Sequence, residues 1–267
     1  MSNADPVSQH ERIPALDGLR ALAIGIVLVS HVSELIWRNA SFLAIVGGDG
    51  VTLFFSISGF LITTLLLREL SVSGKISIRD FYVRRVFRML PAAFVYLAAV
   101  AALAIAGIIV LKPGELYAAA LFFANYWPSQ TWYTAHFWSL SIEEQFYIAW
   151  PFLLSRMGSR ASILAFGIAI ITPLWRLARV FPLPFLDPMH RTDYRIDTFG
   201  VACGLAIVCY YRKPRWLKSG WTPALGFSLW IVTMVLPHTI FLKPLATGMI
   251  VVSTASQPGN ALVRILD

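Results

Sequence analysis

Long apolar runs separated by short polar segments dominate this sequence. Eight of the runs approach the roughly 20 residues that an α-helix needs to cross the hydrocarbon core of a bilayer. The pattern therefore predicts an all-α fold, a polytopic transmembrane helix bundle of about eight spans in one domain, 1–267. The predicted spans are about 16–36, 50–67, 89–111, 141–156, 161–180, 196–211, 221–236 and 239–255.

A further apolar stretch at 115–127 has only about 13 residues, too few to cross. If it stays outside as a re-entrant or interfacial segment, more basic residues fall on the cytoplasmic side, as the positive-inside rule requires. We therefore predict a multi-pass protein of the inner membrane with a polar, cytoplasmic lead at 1–15. In this topology an aromatic belt marks the outer interface, formed by Trp127, Trp132, Tyr133 and Trp138.

Two polar connections separate the first three predicted spans. A loop containing Gly47, Gly48 and Gly50 follows the first span, and a basic cytoplasmic loop, 68–88, follows the second. Pro91 is expected in the first turn of the third helix, where its missing N–H costs little.

Composition agrees with a membrane protein, since 57% of residues are hydrophobic and only 13% are charged. In a typical soluble domain about a quarter of the residues are charged. The net charge of +8 lies in short segments between apolar runs, which indicates membrane topology and anionic lipid rather than nucleic acid. Cys203 and Cys209 share one apolar run and are interpreted as packing residues.

The first apolar run contains two ionisable residues, Arg20 and His31. They lie roughly 16 Å apart along a helix and, at close to three full turns, on one face. Such groups are costly inside a membrane helix and usually mark a functional site. The alternative is that Arg20 extends to the interface while His31 bonds to a neighbouring helix.

Two further charged groups lie near helix ends. Arg85 and Arg88 are predicted to share a face at the cytoplasmic mouth of the third span, where they either anchor the helix or clamp phosphate. Glu144 has the spacing of a capping box with Ser141, which leaves Glu143 free to orient or deprotonate a histidine.

Asp193, Arg195 and Asp197 lie at the outer mouth of the sixth span. They either pair among themselves or bind a polar acceptor that arrives from outside. Arg176 and Arg179 are unexpected at an outer helix end. The remaining histidines, His136 and His190, are interpreted as loop residues, and no spacing suggests a metal site.

These stretches together resemble membrane acyltransferase family 3, which includes bacterial O-acetyltransferases of O-antigen, peptidoglycan and Nod factors. Five segments match in order between about residues 12 and 205: RIPALDGLRALAI, GVTLFFSISGFLITTLL, FYVRRVFRMLP, FWSLSIEEQFYIAWP and TDYRIDTFGVACG. The resemblance implies transfer of an acyl group, usually acetyl, from acyl-CoA to a hydroxyl of a sugar or lipid-linked glycan.

The resemblance also assigns residues. It matches His31 to the essential histidine, Arg20 to its partner arginine, and Glu143 to the acidic position of its helix. Arg85 and Arg88 match the pair on the acyl-CoA side. No metal is implied.

Two departures from the family pattern stand out. Many members have an aspartate where Thr52 stands, so that role is absent or passes to Asp49. The family also continues with further spans beyond Asp267, so the chain is expected to be truncated.

A joint hypothesis follows. Arginines hold the CoA phosphates, His31 acts as general base or carries the acyl group, and Glu143 fixes the imidazole tautomer. The rival interpretations are a transporter or flippase of a polar solute, and an inactive scaffold.

Overall fold

The computed structural model describes residues 14–36, 41–178, 190–219, 221–236 and 241–256. Every regular element in these ranges is helical. The α-helices are α1 Pro14–Ile36, α2 Ser41–Ser73, α3 Ile78–Ile105, α4 Glu115–Ala120, α5 Trp132–Ala135, α6 Phe137–Met157, α7 Ala161–Ala178, α8 Thr192–Arg212, α9 Trp221–Val235 and α10 Lys243–Ser256. The lead at 1–13, Arg179 and the final stretch 257–267 lie outside the described residues.

The predicted all-α class is confirmed, and eight of these helices coincide with the predicted spans. The other two, α4 and α5, have six and four residues. Because a crossing helix needs roughly 20 residues, the stretch at 115–127 does not cross as a helix, as predicted.

The number of spans is a separate matter. Four stretches of the described chain are long and apolar enough to cross a membrane: Ala15–Ser33, Val46–Ser73, Ile78–Ile105 and Trp132–Leu177. Helices α9 and α10 have only 15 and 14 residues, and α8 begins with charged side chains. The chain is thus a multi-pass helical membrane protein, while the count of about eight spans is not confirmed.

The predicted glycine loop is wrong, because all three glycines lie inside α2. A Cβ on Gly47 would lie 2.3 Å from the Oγ of Ser30, and one on Gly50 would lie 2.9 Å from the backbone oxygen of Ala23. Membrane helices use small residues at such close approaches. The glycines therefore allow α1 and α2 to pack closely rather than forming a turn.

The predicted basic loop at 68–88 is also wrong, since α2 and α3 both extend into it. Ser77 caps α3: its hydroxyl accepts a hydrogen bond from the backbone N–H of Asp80 at 3.4 Å and donates to the Asp80 carboxylate at 2.6 Å. Arginine is a good helix former, so the basic residues continue the helix. Pro91 consequently lies inside α3 rather than in its first turn.

Helices α2 and α8 form the centre of the bundle, with α1, α7 and α10 packed around them. The ring of Phe199 lies 4.9 Å from that of Phe55 and 4.2 Å from that of Phe146. A Cβ on Gly59 would lie 3.2 Å from the Cβ of Ala202. Aromatic stacking and small residues together bring α2, α6 and α8 into contact.

A buried carboxylate, Glu115, organises the segment between α3 and α6. It accepts a hydrogen bond from the backbone N–H of Lys112 at 3.0 Å and from the hydroxyls of Thr131 and Thr134 at 2.9 Å each. This single side chain thereby ties α4 to α5.

Gly50→Ala should destabilise the fold, because the new methyl group would meet the backbone of α1. Gly48→Ala is the matched control, since a Cβ there meets no atom within 4 Å and alanine is the better helix former by about 1 kcal/mol. We expect a lower thermal unfolding midpoint in detergent for Gly50→Ala only. Equal midpoints would contradict the close packing of the two helices.

Candidate active site

His31 lies near the end of α1 with its Nδ1 2.8 Å from the backbone oxygen of Val27. A carbonyl oxygen only accepts hydrogen bonds, so Nδ1 carries the proton. In the neutral ring, Nε2 is then the unprotonated nitrogen, available as a base or nucleophile. The backbone of α1 therefore sets the tautomer of this half-buried imidazole.

Arg20 lies at the opposite end of α1. Its Nη1 donates to the carboxylate of Asp17 at 3.2 Å, and the Asp17 side chain is more than half exposed. Arg20 lies roughly 16 Å from His31 along the helix. Its partner is therefore Asp17 in the first turn of α1 and not His31.

Glu143 is buried in α6 and is contacted by side chains of two other helices. Its Oε1 accepts hydrogen bonds from the hydroxyl of Ser58 on α2 at 2.7 Å and from that of Tyr147 at 2.5 Å. The Nη2 of Arg85 on α3 lies 3.7 Å from the same oxygen. This carboxylate joins α2, α3 and α6.

Arg85 binds the next carboxylate along α6 more closely. Its Nε and Nη2 donate to Oε1 of Glu144 at 3.0 and 2.8 Å, and its guanidinium carbon lies 3.2 Å from the ring centre of Tyr147. The Arg85 side chain is 14% exposed. The predicted phosphate clamp thus has one of its two arginines already bound by protein carboxylates.

Arg88 is exposed and makes no hydrogen bond or ion pair with any described residue. Residues three apart on a helix differ by about 60° in direction and lie on the same face. The two arginines therefore share a face of α3, with Arg85 bound to α6 and Arg88 exposed, and their joint role as a phosphate clamp stays a prediction.

The capping box predicted for Ser141 and Glu144 is wrong, because α6 begins earlier, at Phe137. Inside the helix, the Ser141 hydroxyl donates to the Phe137 carbonyl at 2.8 Å and accepts from the Ala124 N–H at 3.2 Å. Ser141 thus ties α6 to the segment before it, and Glu144 is free to bind an arginine.

Glu143 and His31 lie at different levels of the bundle. Gly47 faces Ser30, the neighbour of His31, whereas Ser58, which binds Glu143, lies eleven residues further along α2. That separation is roughly 16 Å at 1.5 Å per residue. The structure does not bring the predicted carboxylate–imidazole pair together, and a backbone carbonyl sets the tautomer instead.

Asp193 and Asp197 each have a partner outside their predicted group. Arg191 donates two hydrogen bonds to Asp193, at 2.9 and 2.8 Å. Asp197 is buried and forms an ion pair with Arg176 of α7. The unexpected arginine of α7 is therefore explained by a buried carboxylate on α8.

Arg195 points towards α2 and α6. Its Nη1 lies 3.4 Å from the hydroxyl of Thr52, and its guanidinium lies 5.6 Å from the ring centre of Trp138. Trp138 also stacks on His190 at 4.4 Å and meets the edge of Phe55 at 6.2 Å. Trp138 is thus part of this site.

Sequence reasoning missed a buried ion pair between Asp49 of α2 and Lys243 of α10. The Asp49 side chain is 1% exposed, and the indole of Trp230 faces the same carboxylate. Two signals for this ion pair are present in the sequence: Asp49 is a single acidic residue among glycines, and Lys243 is a single lysine before an apolar run. The family pattern points to Asp49 only as a substitute for an acid at Thr52.

A second imidazole was also missed. His136, at the start of α6, lies within electrostatic range of His31 and packs against Tyr96 at 5.1 Å. The end of α1 lies beside Gly47 of α2, Arg195 of α8 lies beside Thr52 of α2 and Trp138 of α6, and Lys243 of α10 binds Asp49 of α2. These contacts place the two imidazoles together with Asp49, Lys243 and Arg195 at one end of the bundle, away from Arg85, Glu143 and Glu144.

Within the described ranges, no group of three or more His, Cys, Asp or Glu side chains is arranged to hold a metal ion. Cys203 is buried, with its Sγ 3.5 Å from the carbonyl of Gly59, and Cys209 is partly buried; both are free thiols. The predicted packing role of the two cysteines fits these positions.

Comparison with known proteins identifies the family. A family model of acyltransferase family 3, described as an acyltransferase domain, matches residues 13–256. The chain belongs to this acyltransferase family. The resemblance inferred from five sequence segments is thereby confirmed.

Several named proteins are similar to this family member. Peptidoglycan O-acetyltransferase OatA of Listeria monocytogenes is 26% identical over 296 residues, 96% of this chain and 46% of OatA. YrhL of Bacillus subtilis, provisionally named a peptidoglycan O-acetyltransferase, is 32% identical over 226 residues, 75% of this chain and 34% of YrhL. A Staphylococcus aureus protein, provisionally named an O-acetyltransferase, is 38% identical over 159 residues, 53% of this chain and 24% of that protein.

The chain spans less than half the length of these relatives. No solved structure matches the chain. The names of the relatives describe whole proteins, each longer than this acyltransferase-family chain.

Arg85→Gln should strongly destabilise this acyltransferase-family bundle, because it leaves two carboxylates without their cation. Breaking a buried ion pair costs about 3–5 kcal/mol. Arg84→Gln is the control, since Arg84 is 57% exposed and lies 3.9 Å from Glu69, a pair worth about 1 kcal/mol or less. Chemical unfolding in detergent measures both, and a small, equal loss would contradict the structural importance of Arg85.

Proposed function

We propose that the protein is a multi-pass membrane O-acyltransferase that moves an acyl group, in the first instance acetyl, from acyl-CoA to a hydroxyl of a cell-surface glycan. The observation that carries the proposal is the His31 imidazole, whose Nδ1–H is held by the Val27 carbonyl. Its basic Nε2 suits removal of a hydroxyl proton. Membership of the acyltransferase family supplies the class of reaction.

The proposed reaction is a direct acyl transfer. Nε2 of His31 takes the proton of the acceptor hydroxyl as its oxygen attacks the thioester carbonyl carbon. The new C–O bond forms, the C–S bond breaks, and the CoA thiolate leaves with the bonding electron pair. The imidazolium then returns its proton to the thiolate, so that His31 is regenerated.

The donor site is assigned to the level of Arg20 and Arg85, about 16 Å from His31 along the helices. An extended pantetheine arm has a comparable reach, so phosphates bound there leave the thioester near His31. Arg88 is an exposed cation one helical turn from Arg85 and suits a first contact with phosphate. Glu143 is assigned a positioning role, because it lies beside the guanidinium of Arg85.

The acceptor site is assigned to the opposite end of the bundle, to Asp193, Arg195 and Asp197 of α8, where the guanidinium of Arg195 lies beside the ring of Trp138. Two relatives are named for acetylation of peptidoglycan, which supports a glycan acceptor, free or lipid-linked. This arrangement corresponds to an N-terminus in the cytoplasm, an inner-membrane location, and an acceptor that arrives from outside.

His31→Ala should abolish acetyl transfer because it removes the only group assigned as base. Val32→Ala, an exposed neighbour on α1, is the matched control and should retain activity. Transfer from radiolabelled acetyl-CoA to purified peptidoglycan fragments is measured beside elution from a size-exclusion column. Undiminished transfer by a well-folded His31→Ala protein would sink the proposal.

Glu144→Gln should strengthen CoA binding, because it weakens the carboxylate that competes with phosphate for Arg85. Arg88→Gln should weaken it about tenfold, the effect of losing one charge-assisted bond of about 1.5 kcal/mol. Arg160→Gln, at an exposed arginine outside the assigned donor site, is the control. Binding of CoA is measured by calorimetry, and weaker binding by a folded Glu144→Gln protein would contradict a phosphate role for Arg85.

A further inference from the structure

An apolar groove of about 90 Å³ lies between α6 and α8, with α7 beside it. Phe146 and Phe199 stack across the groove at 4.2 Å, but smaller residues around them leave space open. The walls include Ala149, Trp150 and Leu153 of α6, Ile168 of α7, and Gly200 and Cys203 of α8.

The groove is long and narrow. From Thr192 to Cys203 it follows eleven residues of α8, or roughly 16 Å. Its volume is below the roughly 150 Å³ of a cavity that holds a benzene ring, so it suits a chain better than a ring.

Only one end of the groove is polar. There the Thr192 hydroxyl donates to Gln145, and the Gln145 amide donates to the side-chain oxygen of Asn125 at 2.9 Å. The rest of the wall offers no comparable network, and water needs two to four polar partners to stay in a cavity. The groove therefore suits an amphiphile whose polar end lies beside Gln145 and Thr192.

The surroundings of the groove indicate what fills it. Ile148 and Phe152 of α6, and Ile170 of α7, are 66%, 48% and 61% exposed, and all lie in a stretch long and apolar enough to cross a membrane. Ala149, at the groove's rim, is itself exposed. The groove is thus continuous with a surface that faces bilayer hydrocarbon, and an empty apolar cavity is destabilising.

We propose that the groove binds one acyl chain of a membrane phospholipid, with the chain running along α8 towards Cys203 and its ester end near Gln145 and Thr192. The lipid completes the contact between α6 and α8 that protein side chains leave open. This site does not depend on the proposed acyl transfer.

Photolabelling tests the site directly. The full chain is reconstituted in nanodiscs with phosphatidylglycerol that carries a diazirine in the middle of one acyl chain. After irradiation, peptides are mapped by mass spectrometry. We expect label on Ala149 to Leu153 and on Ile196 to Cys203. Ala149→Phe, which fills the groove, should reduce this labelling at least fivefold, whereas Ile148→Phe, beside it on the exposed surface, should leave it unchanged.

Three outcomes overturn the proposal: label confined to exposed surfaces, equal groove labelling in Ala149→Phe and wild type, or displacement of the label by a polyprenyl phosphate at concentrations where unlabelled phosphatidylglycerol has no effect. The last would assign the groove to a carrier lipid instead. If Ala149→Phe does not fold, Leu153→Trp provides the same obstruction from the other end of the α6 wall.

Discussion

A charged side chain inside a membrane bundle must find a partner on another helix, because neither lipid nor the helix itself can solvate it. In this structure that constraint decides which helices are joined. Three ion pairs of the described interior cross between helices: Arg85 with Glu144, Arg176 with Asp197, and Lys243 with Asp49. Each pair joins two helices that are distant in sequence or separated by a long connection.

The bundle therefore uses two kinds of contact. Helices α1, α2 and α8 approach closely through glycine and alanine, as at Gly50 and Gly59. Helix α3 instead reaches α6 and its preceding segment with long side chains: Arg85 binds Glu144, and the Tyr96 hydroxyl donates to a backbone carbonyl at 2.7 Å. Polar contacts of this kind can be exchanged for a ligand, whereas close packing of small residues cannot, which is why the proposed donor site is placed beside α3.

Sequence patterns located the helices well because bilayer thickness imposes a length that is visible in one dimension. Sequence patterns gave wrong predictions where a residue type has one structural role in soluble proteins and another in a membrane bundle. Gly47 and Gly50 resembled a turn, yet their lack of a side chain serves helix contact. Ser141 and Glu144 had the spacing of a cap, but the helix began one turn earlier, which no local signal revealed.

The chemistry-bearing residues were found more reliably than their partners. Helical spacing states which side chains share a face of one helix, but it cannot state what lies across from that face. Sequence spacing therefore pairs Glu143 with His31, although Glu143 meets Ser58 and Tyr147, and it misses Lys243 because the glycines around its partner Asp49 predict a loop.

His31 and the Arg85–Glu143 group lie at two different levels of the bundle. This separation means that a mechanism cannot rely on direct contact between the imidazole and that carboxylate. A catalytic imidazole commonly relies on a carboxylate to hold its tautomer, but here the Val27 carbonyl already does so. A neutral acceptor of this kind orients the ring without adding a negative charge beside it. Glu143 is then free to stay beside Arg85, roughly 16 Å away. In the proposed reaction a donor bound at the arginine level would bring its reactive carbonyl to His31 by its own length, which is the reason for proposing an extended thioester rather than a compact acyl donor.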